Sequence, residues 1–170
     1  CTSITALYRD VYGIRPHWNY LELNPHLIND LSGTNFDYWL RGDCYHLSLS
    51  PDSYSVKFGN FEVSSSKKIG VSSMDGALSL YLDSAKFPLQ IKRRGREEVK
   101  IRVQCDTEEM HAIQILEKGK YYLILNADTK NDYLVTLDGN PIEGVWKDGY
   151  CSYNLSCKAN VVISVKNRLK

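Results

Sequence analysis

Along most of this chain apolar and polar residues alternate with a period of two. The alternation breaks at intervals of roughly 8–12 residues, where glycine, proline, asparagine or aspartate intervenes. Tyr20-Leu21-Glu22-Leu23-Asn24 alternates and stops at Pro25, as a strand would. Phe36-Asp37-Tyr38-Trp39-Leu40 and Tyr45-His46-Leu47-Ser48-Leu49 flank Arg41-Gly42-Asp43 and read as a hairpin. Residues 54–58 continue through Gly59-Asn60 into 61–63, a second two-residue turn, and the polar run 64–68 reads as a loop. Strands are expected over 69–73, 77–82 and 89–92, with turns at Asp75-Gly76 and Lys86-Phe87-Pro88. Further on, 99–103, 111–116, 121–125, 133–137, 145–146, 150–155 and 161–165 carry the same signal. Residues 110–116 also admit a short helix, because Glu108-Glu109 would sit well near its N-terminus. Many short strands with regular turn signals predict an all-β fold, an antiparallel β-sandwich.

One stretch departs from this period. Ile4, Leu7, Tyr8 and Val11 follow the i, i+3, i+4, i+7 spacing of an amphipathic helix, with Thr2 or Ser3 placed to cap it and Gly13 to end it. An isolated helix shorter than about 12–15 residues is marginal in water. Its apolar stripe therefore needs something to dock on, and with no second helix in the pattern the expected partner lies outside the sandwich.

Composition narrows the classes. A net charge of +1 argues against a nucleic-acid partner, and the basic run Lys92-Arg93-Arg94-Gly95-Arg96 is followed at once by Glu97-Glu98 and reads as a solvated turn. No apolar run reaches the ~20 residues a membrane-spanning helix needs, so no membrane insertion is expected. The chain opens on Cys1-Thr2-Ser3 without a signal-peptide pattern, which suggests a piece of a longer chain. Twelve tyrosines and three tryptophans suit strands and sugar binding alike.

The side chains that carry chemistry are scattered. Five cysteines (1, 44, 105, 151, 157) show no metal-ligand spacing and read as small core hydrophobes, with Cys151–Cys157 the nearest candidate for a disulfide. The four histidines show no HxH or HExxH spacing, so no metal site is expected. Asp43, Asp138, Glu143 and Asp148 lie in or beside glycine turns, where such side chains satisfy backbone groups; only Asp37 is left among the acidic candidates. Cys44 and His46 share a strand face, but no orienting group or oxyanion donor is visible beside them. No catalytic residue and no cofactor are expected.

The order of motifs resembles the C-terminal end of carbohydrate-active enzymes built on an (α/α) helical barrel, the cellobiose-phosphorylase type and its glycoside-hydrolase relatives. The form Y-R-x-x-x-G-I-x-P appears as Tyr8-Arg9-Asp10-Val11-Tyr12-Gly13-Ile14-Arg15-Pro16, and L-x-I/L-x-P as Leu21-Glu22-Leu23-Asn24-Pro25. R-G-x-x-Y-H appears as Arg41-Gly42-Asp43-Cys44-Tyr45-His46, and V-x-x-D-G-x-x-I-x-G as the run from Val135 to Gly144. The likeness covers about residues 4–50 and 133–165, and the middle, 51–130, reads as additional strands.

The resemblance implies that residues 1–12 are the tail of an upstream helical barrel and 13–170 a non-catalytic C-terminal β-sandwich that packs on it. The catalytic acid and base would then lie upstream, and the fragment would not be an enzyme by itself. The expected docking residues are Ile4, Leu7, Tyr8, Val11, Trp18 and Tyr20. The alternative is an independent carbohydrate-binding module, in which Trp146 with Asp148 and Trp39 with Arg41 would hold an oligosaccharide by ring stacking and rim hydrogen bonds. If the parent is a bacterial polysaccharide-degrading enzyme, a periplasmic or secreted location is favoured.

Overall fold

A computed structural model describes residue 4 and residues 6–26, 33–83, 85–95 and 98–168. Among these residues the chain is an all-β sandwich of one antiparallel and one mixed, largely antiparallel sheet, with very little helix. In chain order the strands are β1 (Ile14–Pro16), β2 (Leu21–Leu23), β3 (Thr34–Leu40), β4 (Asp43–Leu49), β5 (Tyr54–Phe58), β6 (Phe61–Ser65), β7 (Ile69–Met74), β8 (Ala77–Leu82) and β9 (Leu89–Arg93). They continue as β10 (Val99–Asp106), β11 (Met110–Ile115), β12 (Gly119–Asn126), β13 (Tyr133–Leu137), β14 (Asn140–Pro141), β15 (Val145–Lys147), β16 (Tyr150–Cys157) and β17 (Val161–Asn167). One sheet has the order β1-β2-β7-β8-β9-β12-β16-β15, the other β14-β13-β17-β11-β10-β6-β5-β4-β3.

Alternating burial along β4, β5, β6 and β10 puts Tyr45, Leu47, Leu49, Val56, Phe58, Val63 and Ile101 between the sheets and their neighbours outside. The facing sheet contributes Leu21, Leu23, Val71, Leu80, Ile91, Tyr121 and Leu123. Full burial of such side chains is worth about 1.5–3 kcal/mol each, which makes this layer the main source of stability. Tyr54 of β5 ties the two sheets directly, its hydroxyl donating to the Leu23 carbonyl of β2 at 3.1 Å. Strands β7 and β8 are buried on both faces over most of their length. Their outer side is closed by a stack of His17 on Tyr20 (ring centroids 4.4 Å apart) and Tyr20 on Tyr81 (4.3 Å), seated over Gly70, where a Cβ would come within 2.4 Å of the Tyr20 ring.

The helix expected from Ile4, Leu7, Tyr8 and Val11 is present among the described residues: Ile4 and Ala6 are α-helical and Leu7–Val11 form a π turn with no fully buried residue; Thr2 and Ser3 lie outside the described residues. Two other expectations need correction. The first hairpin turns on two residues, not three: Arg41 and Gly42, at φ 53° and 87°, supply the left-handed pair of a tight hairpin turn, and Asp43 already pairs with Leu40. The polar run after β6 is shorter than expected, because Ser64 and Ser65 continue the ladder opposite Ser55 and Tyr54. Of the two readings of 110–116 the strand is the one formed, pairing with β10 and β17.

One pair of neighbours is parallel, β6 beside β10, with Val99 opposite Phe61 and Arg102 opposite Ser64. It marks a division of the fold. Residues 14–93 supply β1–β2–β7–β8–β9 of one sheet and β3–β6 of the other, and residues 99–167 supply the rest of both. The halves meet along two seams, β9 with β12 and β6 with β10. Near the first seam Arg93 is buried and donates to the carbonyls of Glu98 (2.7 Å) and Lys118 (2.6 Å) and to the Glu117 carboxylate (3.0 Å), with its guanidinium over the Tyr121 ring.

Candidate functional site

The N-terminal turn and the β3 edge form an apolar face. Ile4 is 63% and Leu7 42% exposed, while Tyr8 and Tyr12 lie half-buried against Phe36 and Tyr38 of β3, with centroid separations of 4.9 to 5.7 Å between the two pairs. Ile4, Tyr8, Ile14, Pro16 and Tyr38 line a shallow depression of about 480 Å³ there. Trp18, between β1 and β2, is 92% exposed, and Trp39, which alternates with Tyr38 and so lies on the other face of β3, is 69% exposed. Arg41 links the segments that carry them: its guanidinium donates to the His17 carbonyl at 2.6 Å and lies 5.9 Å from the centre of the Trp18 ring. Of the six expected docking residues, Ile4, Leu7 and Trp18 present apolar surface outward, Tyr8 and Val11 do so in part, and Tyr20 is occupied within the chain by its stack between His17 and Tyr81.

The four residues expected to hold sugar divide into two places. Trp39 and Arg41 belong to the β3–β4 hairpin at one end of one sheet; Trp146 and Asp148 belong to β15 and its turn at the far end of the other. The β1–β2 end lies over β3–β5, as the contacts of Tyr8 with Phe36 and of Tyr54 with Leu23 show, so the two pairs stand at opposite edges of the sandwich. Trp146 is 44% exposed, but its indole N–H donates to the Ala127 carbonyl at 2.9 Å. Asp148 occupies a turn at φ 51°, followed by Gly149.

Of the acidic residues assigned to turns, Asp138 satisfies a backbone group, and Asp43 is instead the first residue of β4. Asp138, at φ 49°, accepts the Val162 amide at 2.9 Å and ties the β13–β14 turn to β17. Cys151 and Cys157 are buried free thiols; burial pushes the Cys157 pKa up to about 11. Cys44 and Cys105 are half-buried and also free, and Cys1 lies outside the described residues.

Two clusters were not legible in the sequence, the first because its members are far apart in the chain and the second because it depends on the register of one turn. The first is a cleft of about 390 Å³ at one end of the sandwich, where Phe87, Glu108, His111, Asp128, Asp132 and Tyr133 meet. His111 is held through Nδ1 by Asp106 at 2.9 Å, and Asp106 also accepts the Asp83 amide at 3.0 Å. Asp132 accepts the Thr129 hydroxyl and the amides of Asp128 and Thr129 at 2.7 to 3.1 Å, and these bonds, the hydroxyl first, hold its carboxyl below the ordinary aspartate range. Acid and imidazole groups do converge here, and Asp106 and Asp132 fasten the loops that form the cleft. The second cluster is Asp37, Cys44 and His46 on the outer face of the β3–β4 hairpin. The group missing beside Cys44 and His46 is supplied by Asp37, which lies opposite His46 and contacts its Nδ1 at 2.5 Å. A two-residue turn sets that pairing; reading three turn residues shifts the register and hides it.

Comparison of the chain with protein-family models, curated proteins and solved structures returns no match.

Proposed function

We propose that this chain is a non-catalytic accessory β-sandwich domain of a carbohydrate-active enzyme, a glycoside hydrolase or phosphorylase, and that it packs through its N-terminal apolar face against the catalytic helical domain of the same parent chain. The observation that supports the reading is the apolar depression lined by Ile4, Tyr8, Ile14, Pro16 and Tyr38, with Leu7 and Trp18 also exposed. The helical segment that carries Tyr8 has no fully buried residue, and Trp18 is the most exposed tryptophan of the chain. Large exposed apolar patches on soluble domains mark interaction surfaces. The motifs that suggested the family also have structural work to do: Gly13-Ile14-Arg15-Pro16 and Leu21-Glu22-Leu23-Asn24-Pro25 supply the paired strands β1 and β2 that set the direction in which the turn leaves the sandwich. The test is hydrogen exchange and tryptophan emission on the chain alone and on the parent protein. Slower exchange over residues 6–12, a blue-shifted emission lost in Trp18→Phe, and loss of that protection in Leu7→Asp are expected. Identical exchange and emission in both would overturn the reading.

A second reading, an independent carbohydrate-binding module, draws on exposed Trp18, with the Arg41 guanidinium 5.9 Å from its ring centre, and on exposed Trp39 of the hairpin that carries Arg41. Binding in a polysaccharide panel that is abolished in Trp39→Ala would favour it. Calorimetry without heat across the panel would remove it.

A further inference from the structure

Asp37, Cys44 and His46 lie on three neighbouring positions of one sheet face. Asp37 is directly opposite His46, Trp39 is directly opposite Cys44, and residues two apart on a strand point the same way. Their donor atoms, a carboxylate oxygen, a sulfur and an imidazole nitrogen, all lie within 4.8 Å of one another. Ligand atoms around a single zinc ion stand roughly 3.3–3.8 Å apart, the edge of a tetrahedron with metal–ligand bonds of about 2.0–2.3 Å. Small rotations about the χ angles of three surface side chains close that gap, and the backbone beneath them is fixed by the hairpin ladder. A surface His–Asp pair alone contributes at most about 1 kcal/mol and needs no thiol at its side.

We propose that Asp37, Cys44 and His46 form a binding site for a divalent transition-metal ion of borderline softness, zinc foremost. The donor set makes the choice. Thiolate and imidazole favour zinc and its late first-row neighbours over calcium and magnesium, which take oxygen ligands. On binding, the Cys44 thiol releases its proton to solvent and the sulfur coordinates as thiolate. Three protein ligands leave the fourth position of a tetrahedral ion open, and here it faces solvent beside the Trp39 ring. The site lies on the outer face of the sandwich and is independent of the docking surface proposed above. Its strand neighbours on that face are Ser48, hydrogen-bonded to Asn35, and Lys57, which stands opposite Glu62 on β6.

The test is titration of the metal-free, reduced protein with Co²⁺, which reports thiolate coordination by an intense near-ultraviolet charge-transfer band and four-coordination by strong visible bands. One Co²⁺ per chain is expected, displaced by Zn²⁺. Cys44→Ser should lose the charge-transfer band, and His46→Gln and Asp37→Asn should each weaken binding at least tenfold. Circular dichroism checks the fold of each variant; the near-isosteric Asp37→Asn at an exposed position keeps the affinity comparison valid if Cys44→Ser fails to fold. A wild-type titration without a thiolate band, a band that survives Cys44→Ser, or affinities unchanged in both His46→Gln and Asp37→Asn would overturn the proposal.

Discussion

A side-chain carbon added at Gly13 would lie 1.9 Å from the carbonyl oxygen of Asn24. The two residues are clamped by the Asn24 amide, which donates to the Gly13 carbonyl at 2.9 Å, and Gly13 itself sits at φ 64°. Two independent reasons therefore require glycine: the left-handed backbone and the absence of any room for a Cβ. This contact fixes the angle at which the chain passes from the Leu7–Val11 turn into β1.

The first prediction follows from that contact. Gly13→Ala must both strain the backbone and push β1 from β2, and it should destabilise the domain by at least about 2 kcal/mol. Urea denaturation measures this as a lowered midpoint at unchanged slope. Gly139→Ala is the comparison, since φ there is 82° but nothing lies within 4 Å of the added carbon. It should cost only about 1 kcal/mol. Equal losses at the two sites would show that the close approach to Asn24 is not what counts.

Arg93 gives a second prediction. Its head is buried between two backbone carbonyls and the Glu117 carboxylate, beside an unsubstituted Gly119 whose added Cβ would stand 2.7 Å from Arg93 Nε. A lysine carries the charge but cannot place separate N–H donors on the carbonyls of Glu98 and Lys118 while also reaching Glu117. Arg93→Lys should cost roughly 1–3 kcal/mol and Arg93→Ala about 3–5 kcal/mol. Thermal or urea unfolding measures both, and Arg93→Lys as stable as the parent would show that charge alone matters there.

The third prediction concerns acid. Asp132 has its carboxyl held below the ordinary range by the Thr129 hydroxyl and the amides of Thr129 and Asp128. A group whose pKa falls on folding stabilises the fold above its unfolded pKa, and that contribution is lost as pH drops through the folded value. Between those two values the unfolded chain binds more protons, so stability rises with pH. Asp132→Asn should lower stability at neutral pH and flatten the dependence of stability on pH below the usual aspartate range, read from urea unfolding at a series of acidic pH values. A slope identical to the parent's would mean that another carboxylate is responsible.

Much of the architecture was legible because strand signals are local. Tyr54-Ser55-Val56-Lys57-Phe58 could only put Tyr54, Val56 and Phe58 on one face, and the Gly59-Asn60 and Asp75-Gly76 turns sit where their residue types require. What stayed hidden was non-local. Nothing in residues 61–65 announces a parallel partner at 99–102, and nothing in 119–126 announces that β12 lies between β9 and β16. Two very short strands, β1 and β14, carry too few residues for a period to show. The helical spacing of Ile4, Leu7, Tyr8 and Val11 was legible because it is local, whereas the packing of Tyr8 and Tyr12 on Phe36 and Tyr38 of β3 was not. The candidate site followed the same rule. Trp18 and Trp39 were singled out by residue type, but their exposure came only with the fold, and the Asp37–His46 contact depended on the register of one turn.

The parallel seam between β6 and β10 has a consequence for how the chain is made. The polypeptide crosses from one half to the other once, between Arg93 and Val99, so a ribosome delivers all of β1–β9 before any of β10–β17. Until β10 and β12 arrive, β6 and β9 offer bare edges, and bare edges are where newly made β-proteins join the wrong neighbour. The same geometry marks this junction as the place to cut the gene in two: each piece would hold a portion of both layers, and the missing half would be the natural cover for the edge the other exposes.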